Sequence, residues 1–341
     1  IQDGCNNGCS FCLTQYLRGT PTSIPPEKVI EEINFWVERG IKEIILTGVN
    51  IGLYEYVIAR SETTKQSRFR SGLLRPPNRR TRNDMTTLIE KILSETKVER
   101  ISFSSIYPEM LTDDFLTLIM GNSRITQCFH LSLQSGSHTV LERMNRETDL
   151  HRLASRLTQI KSKIPNFTLR ADLIAGFPDE TEKEFQETLD FIKNARVSFA
   201  HIFTYSPRKG TAAYGWKNLP ESIKKERSEK IRMTVEEIRE EEAEHLIAKL
   251  LNCLIVRKSI SVIASEARQS RPSYSNPTRL LRPRLRRSPR NDIFAWEGIT
   301  KNGWPVKMYN VKCTMYNLKG KILLVKITCF EENYLLGEIV D

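Results

Sequence analysis

The sequence predicts an α/β chain: a parallel sheet, open or closed into a barrel, followed by a small all-β barrel. Three observations predict it. Short apolar strands alternate with amphipathic helices from residue 1 to about 215. A long charged helix then separates this part from the C-terminal remainder. Beyond it the pattern changes to alternating strands.

The elements can be justified in order. A proline pair and Glu27 open a helix whose stripe is Val29, Ile30, Ile33, Trp36 and Val37, ending near Gly40. Residues 42–48 read as a buried strand. A helix at 88–94 leads to a strand at 100–104, and a helix from Asp113 leads to a strand at 129–133. Helices near Val140 and over 150–163 precede a strand at 168–174; a helix at 180–194 precedes one at 199–204. This rhythm puts chemistry at the C-terminal strand ends. At or near those ends stand Thr47-Gly48-Val49-Asn50, Ser104-Ser105, Gln134-Ser135-Gly136, Asp172 and His201 with Tyr205. Singly these have plain explanations: a turn glycine, a helix-capping Asp172, a satisfied core His201.

The helix over 220–249 carries Ile231, Val235, Ile238, Leu246 and Leu250 on its apolar side. Strands at 254–260, 306–309, 312–315, 321–328 and 335–340 suit an antiparallel barrel. The expected organisation is a first domain over 1–215, a linking helix over 216–249 and the barrel over 250–341. Small barrels of this kind often bind RNA.

The net charge of +11 is not spread evenly. Segments 57–84 and 262–292 resemble each other: both carry Val-Ile-Ala, Ser-Glu, Gln-Ser-Arg, Leu-Leu-Arg-Pro and a final Arg-Asn-Asp. Each has eight Arg or Lys against one Glu and one Asp, a net +6, so the remainder of the chain sits at −1. Such composition cannot bury a core, and surface disorder is expected. The segments resemble translated palindromic repeat elements inserted in frame; basic RNA-binding arms are the alternative.

The most specific signal is Cys5, Cys9 and Cys12 in a C-x-x-x-C-x-x-C run. Three thiolates on one glycine-bearing loop suit an iron–sulfur cluster, whereas structural zinc usually takes four ligands. A zinc site or three unrelated thiols are the plainer readings. The seven cysteines form no regular framework and suit a reducing, cytoplasmic setting. No apolar run approaches a membrane span. Ile1, four residues before the first ligand, suggests that the chain begins inside a longer protein.

Together the motifs resemble the radical S-adenosylmethionine methylthiotransferases. The matching pieces are 1–12 with Arg18-Gly19, Thr47-Gly48-Val49-Asn50-Ile51-Gly52, Ser104-Ser105-Ile106-Tyr107-Pro108, residues 130–137, Arg143-Met144-Asn145-Arg146, residues 172–181 and residues 205–211. Gly298-Ile299-Thr300-Lys301-Asn302 resembles the terminal RNA-binding barrel of the family, the TRAM domain. The resemblance implies a partial (β/α) barrel followed by a TRAM-like barrel. It also implies a 4Fe-4S cluster on Cys5, Cys9 and Cys12, with S-adenosylmethionine on the open iron. A 5′-deoxyadenosyl radical would then remove hydrogen from C2 of an adenine. By analogy Phe11 packs beside the cluster and adenine, Gly48 and Asn50 lie near the methionine amino group, and Gln134, Ser135 and Asp172 line the ribose and substrate side. No catalytic side chain is assigned.

Within the family, Ile1-Gln2-Asp3-Gly4, Gly48-Val49-Asn50-Ile51-Gly52 and His130-Leu131-Ser132-Leu133 look most like the branch that modifies N6-threonylcarbamoyladenosine beside the tRNA anticodon. The isopentenyladenosine branch and a non-catalytic tRNA-binding remnant are the alternatives. The implied partners are tRNA, a low-potential electron donor and a separately encoded N-terminal domain. In the family that domain carries three further cysteines and the sulfur-bearing cluster, which the scattered Cys128, Cys253, Cys313 and Cys329 cannot replace.

Overall fold

The computed structural model describes residues 1–55, 84–261, 293–309, 318–331 and 333–340. The two basic repeats, apart from Asp84, lie outside the described residues, as do Cys313 and the strand expected at 312–315. The chain divides into two compact units. The first comprises Ile1–Leu246 with Lys301–Gly303, the second Ile247–Thr300 with Trp304–Asp341.

The first unit opens with β1 (Gln2–Asp3), a short α1 (Thr14–Arg18) and β2 (Thr22–Ser23), the two strands pairing antiparallel. Then come α2 (Pro26–Glu38), β3 (Glu43–Leu46), α3 (Asp84–Glu95), β4 (Arg100–Phe103), α4 (Asp113–Gly121) and β5 (Cys128–Gln134). They are followed by α5 (His138–Arg143), α6 (Leu150–Lys163), β6 (Thr168–Ala175), α7 (Glu182–Ala195), β7 (Val197–Thr204) and α8 (Glu221–Glu244). Pairs β3–β4, β5–β6 and β6–β7 are parallel. Single parallel bridges, Ile101 to Ile125 and Ile106 to Leu131, join the two sheets into one run.

Local chemistry sets the helix starts. Pro26 occupies the first turn of α2. Thr112 and Asp149 accept backbone N–H groups of α4 and α6, and Thr181 with Glu184 forms a capping box on α7. The core lies between helices and sheet. Phe103, Phe115, Phe129 and Phe167 meet there edge to face or tilted at 5.2–6.2 Å. Each fully buried side chain such as Ile92, Leu131 or Ile192 contributes about 1.5–3 kcal/mol. Among the described residues no helix is long and apolar enough to cross a membrane.

Three expectations change. The strand expected to be buried, β3, leaves Ile45 59% exposed, because Ile45 faces away from the helices that cover its neighbour Leu46. The helix expected to link domains is part of the first unit: α8 packs on β7 and α7, which moves the boundary from 215 to Leu246. Leu250 has left that helix for the following strand and is exposed.

The second unit is a closed barrel of β8 (Leu250–Ser261), β9 (Ile293–Thr300), β10 (Pro305–Tyr309), β11 (Ile322–Glu331) and β12 (Tyr334–Ile339), in the order β10–β12–β11–β8–β9. It is not wholly antiparallel, because β10 and β12 close it in parallel. Strand β9 has no counterpart among the expected strands.

Candidate active site

Cys5 and Cys9 are buried, and Cys12 is half-buried, on the loop after β1. The loop is pinned on several sides. Gln2 Nε2 donates to the Gly4 carbonyl at 2.7 Å, and the Cys5 N–H reaches the Gly19 carbonyl at 3.1 Å. Gly4 has φ +75°, and a Cβ there would lie 2.3 Å from the Thr20 carbonyl oxygen. Only glycine fits. The segment after α5 holds the middle of the loop: Ser10 N–H donates to Met144 O at 3.0 Å, Ser10 Oγ to Arg143 O at 2.8 Å, and Asn145 Nδ2 to Gly8 O at 2.9 Å. The Ser10 carbonyl accepts from Ala213 N–H at 2.8 Å. The Arg-Met-Asn-Arg motif is therefore the clamp of the cysteine loop.

The thiols suit a polynuclear centre. Two sulfurs on one zinc ion, each about 2.3 Å from it, would be at most about 4.6 Å apart. Among the described residues the only trio of Cys, His, Asp or Glu ligand atoms within 4.8 Å is His130, Asp172 and His201, not the cysteines. Burial holds the Cys9 thiol above its ordinary value, with smaller contributions from Cys12 and Cys5, against the pull of the Arg146 guanidinium. Arg146 itself is buried, lies 4.4 Å over the Tyr107 ring and donates to the Ser132 carbonyl. Tyr107 is pushed up to about 12 by burial, and so stays protonated.

The other residues singled out from sequence fall into two groups. Near the loop, Phe11 meets Phe177 edge to face at 6.3 Å. Gly48 bridges Gln2, and a Cβ at 48 would lie 2.9 Å from Gln2 and from Ile51. Asn50 is buried; its N–H donates to Gln2 Oε1 at 2.8 Å, and its Oδ1 accepts from Gly52 N–H at 3.1 Å. A cavity of about 350 Å³ brings Asn50 together with Asn7 of the cysteine loop, Tyr107, Asn145 and Arg146.

Further along the sheet the placements differ. Gln134 ends β5 with φ +71°. Ser135 is 1% exposed, its hydroxyl shared with Thr188 of α7 at 3.1 Å and accepting Ser137 N–H at 3.1 Å. It holds the turn after β5 against α7. Asp172 lies in the second half of β6, three residues before its end at Ala175. Its Oδ1 is 2.8 Å from His130 Nε2 and 3.2 Å from His201 Nδ1. Burial alone would raise the Asp172 pKa, but hydrogen bonds and charge from His130, then His201, outweigh it and hold the carboxyl below its ordinary value. His201 is not a core residue: its side chain is 68% exposed.

Sequence reasoning counted His130 and Arg146 only as pieces of matching motifs and did not single out Arg170. Period-two alternation could have put His130, Arg170, Asp172 and His201 on one face. That they meet depends on strand register, 29 and 42 residues apart.

A family model described as the Radical SAM superfamily matches residues 1–192. The chain is 35% identical over 232 residues to the tRNA-2-methylthio-N(6)-dimethylallyladenosine synthase of Fusobacterium nucleatum, covering 68% of this chain and 48% of that protein. It is 37% identical over 228 residues to the threonylcarbamoyladenosine tRNA methylthiotransferase MtaB of Bacillus subtilis, covering 67% and 46%. A dimethylallyladenosine synthase of Caldicellulosiruptor saccharolyticus aligns with 99% of this chain, at 30% identity, over 60% of its own length. The chain thus spans about half the length of the first two relatives. The three-cysteine loop, clamped across the ends of parallel strands, lies wholly within the matched residues, and the chain belongs to the radical SAM superfamily, whose members use a 4Fe-4S cluster and S-adenosylmethionine.

Proposed function

We propose that the chain forms the radical and RNA-binding part of a tRNA methylthiotransferase acting at C2 of N6-threonylcarbamoyladenosine beside the anticodon. The observation that carries the proposal is the cysteine loop, held over the C-terminal end of a sheet whose open face carries His130, Asp172 and His201. When bound, the cluster and S-adenosylmethionine supply a radical able to remove hydrogen from an aromatic C–H bond that acid–base chemistry leaves untouched.

The chain's own residues do the positioning. Cys5, Cys9 and Cys12 hold the iron, and Gln2 ties their loop to Gly48 and Asn50. Phe11, Phe177 and Tyr205 pack edge to face in series beside it. His130, Asp172 and His201 present hydrogen-bonding groups deeper on the same face. The TRAM-like barrel contributes affinity for tRNA. A low-potential electron donor and an N-terminal three-cysteine domain supplying sulfur complete the set of partners. Both relatives' names describe methylthio modification of a substituted adenosine of tRNA, which supports the reaction class.

The test is anaerobic reconstitution of residues 1–341 with iron and sulfide, followed by assay for 5′-deoxyadenosine and mass spectrometry of tRNA nucleosides. The chain alone should cleave S-adenosylmethionine, and 2-methylthio product should appear on adding the three-cysteine domain. Reconstituted protein that binds tRNA but forms no 5′-deoxyadenosine would leave only the non-catalytic reading.

A further inference from the structure

Beside the edge strand β7 lies a cavity of about 340 Å³ whose polar wall is made by His130, Arg170, His201, Arg232, Glu236 and Arg239. Three guanidiniums face one carboxylate. Phe199 forms the floor between two of them: the Arg170 guanidinium carbon lies 4.7 Å from its ring centroid and that of Arg239 5.7 Å. The Nε of each of these two arginines is buried without a hydrogen-bond partner. Arg170 also hydrogen-bonds the Cys128 thiol. Arg170 Nη2 donates to the Gly303 carbonyl, and Arg239 pairs at 3.3 Å with Glu236, itself 57% exposed. Arg232 pairs with Glu229 at 3.3 Å, both more than half exposed. Exposed pairs of this kind are worth little, and a better-placed anion displaces them.

We propose that this cavity is the subsite for a carboxylate-bearing substituent on the substrate base, with Arg170 and Arg239 as the residues that read it; this rests on the function proposed above. A carboxylate matches the guanidinium fork in a way that an alkyl group does not. Filling the cavity with an apolar substituent would strip water from three cations and return no hydrogen bond. The two relatives named above divide on this point, one named for an N6-dimethylallyl group and the other for an N6-threonylcarbamoyl group, which ends in a carboxylate. The depth also fits. From Arg170 to the end of β6 at Ala175 is five residues, about 16 Å of strand. That length accommodates an adenine with C2 toward the strand ends and its N6 substituent reaching down to Arg170. The same arginines disfavour a divalent cation on the His130–Asp172–His201 trio, since like charge surrounds it.

The experiment measures binding of the full chain to anticodon stem-loop RNAs bearing unmodified adenosine, N6-threonylcarbamoyladenosine or N6-dimethylallyladenosine, using wild type, Arg239→Gln and Arg170→Gln. Wild type should prefer the carboxylate-bearing hairpin by at least about tenfold over the other two. Each substitution should erase that preference while leaving affinity for the unmodified hairpin unchanged. Circular dichroism checks that each variant folds, and Arg239→Lys should recover part of the preference. Equal binding of all three hairpins by wild type would overturn the subsite and leave the tRNA reading standing. Failure to bind any hairpin would overturn both. A uniform loss across hairpins in the variants would mean that the arginines read backbone phosphate, and a preference that needs added Zn²⁺ or Mn²⁺ would mean that a metal on the trio reads the anion. Either result would overturn the assignment.

Discussion

Gly176 and Lys224 are in van der Waals contact, with Gly176 at φ +71° where a Cβ would lie 2.3 Å from Lys224 Cγ. Lys224 cannot move aside. Its side chain is fully buried, paired with Glu221, and its Nζ donates to the Tyr205 carbonyl at 3.1 Å. Around them, Gly176 N–H donates to Glu180 Oε2 at 3.0 Å, and Glu180 meets Arg227 at 2.7 Å with both side chains almost wholly enclosed. The Ala-Gly-Phe-Pro-Asp-Glu stretch is thus the place where the turn after β6 is fastened to α8.

Gly176→Ala should destabilise the first unit by about 2–4 kcal/mol, from a strained left-handed backbone plus overpacking against Lys224. Lys224→Ala should be destabilising alone, yet it removes the clashing atom. The double variant should therefore be more stable than the sum of the two effects by about 1 kcal/mol or more, read from urea midpoints. Strict additivity would show that the contact is not the cause.

Glu184 carries the acid-sensitive contact of this region. Arg143 Nη1 and Nη2 reach it at 2.7 and 3.0 Å, Thr139 Oγ1 at 2.6 Å and Thr181 N–H at 2.7 Å. The Arg143 pairing, with these donors, lowers its pKa from 4.5 to about 2 against the effect of burial. The folded pKa lies below the unfolded one, so the stabilisation is complete above about pH 4.5 and fades as pH falls toward 2. Glu184→Gln should cost about 1–3 kcal/mol at pH 7 and flatten the stability curve in that window. An unchanged acid-unfolding profile would rule out Glu184 as the group responsible.

How much of this was legible in the sequence depended on where each partner lay. Helix α6 could be read to the residue, because Asp149 caps it and Leu153, Leu157 and Ile160 recur on one face. The cysteine loop stood out by its spacing alone, because its three thiols lie within eight residues of one another. Helix α8 did not declare its role. Its buried face includes Lys224, Arg227 and Ser228, which look solvent-facing until Glu221, Glu180 and the turn after β6 are placed against them. Asp172 was found near a strand end, and Ser135 was given the ribose and substrate side, without the partners that hold either. Both depend on neighbours from other elements, His130 and His201 for one and Thr188 for the other. The parallel closure of β10 on β12 is a matter of topology that period-two alternation cannot encode.

The three loop cysteines differ in kind from the rest. Cys5, Cys9 and Cys12 share one clamped loop. Cys128 starts β5, burial raising its thiol pKa, and Cys253 lies inside the barrel where a Cβ at Gly298 would be 2.5 Å from its sulfur. These two stand on separate strands, β5 and β8, outside the clamped loop. Anaerobically reconstituted wild type should therefore hold about four irons per chain. Cys5→Ala, Cys9→Ala and Cys12→Ala should each lose most of that iron while keeping the circular dichroism of the fold, because the loop's hydrogen bonds to Gly19, Met144 and Asn145 use backbone atoms of Cys5, Ser10 and Gly8. Cys128→Ala and Cys253→Ala should keep their iron and lose only stability, by about 1–2 kcal/mol for the packing removed. Iron and sulfide quantitation beside the visible absorbance of the cluster decides it: stoichiometric zinc in wild type, or iron lost on substituting Cys128 or Cys253, would show that the loop is not the cluster's seat.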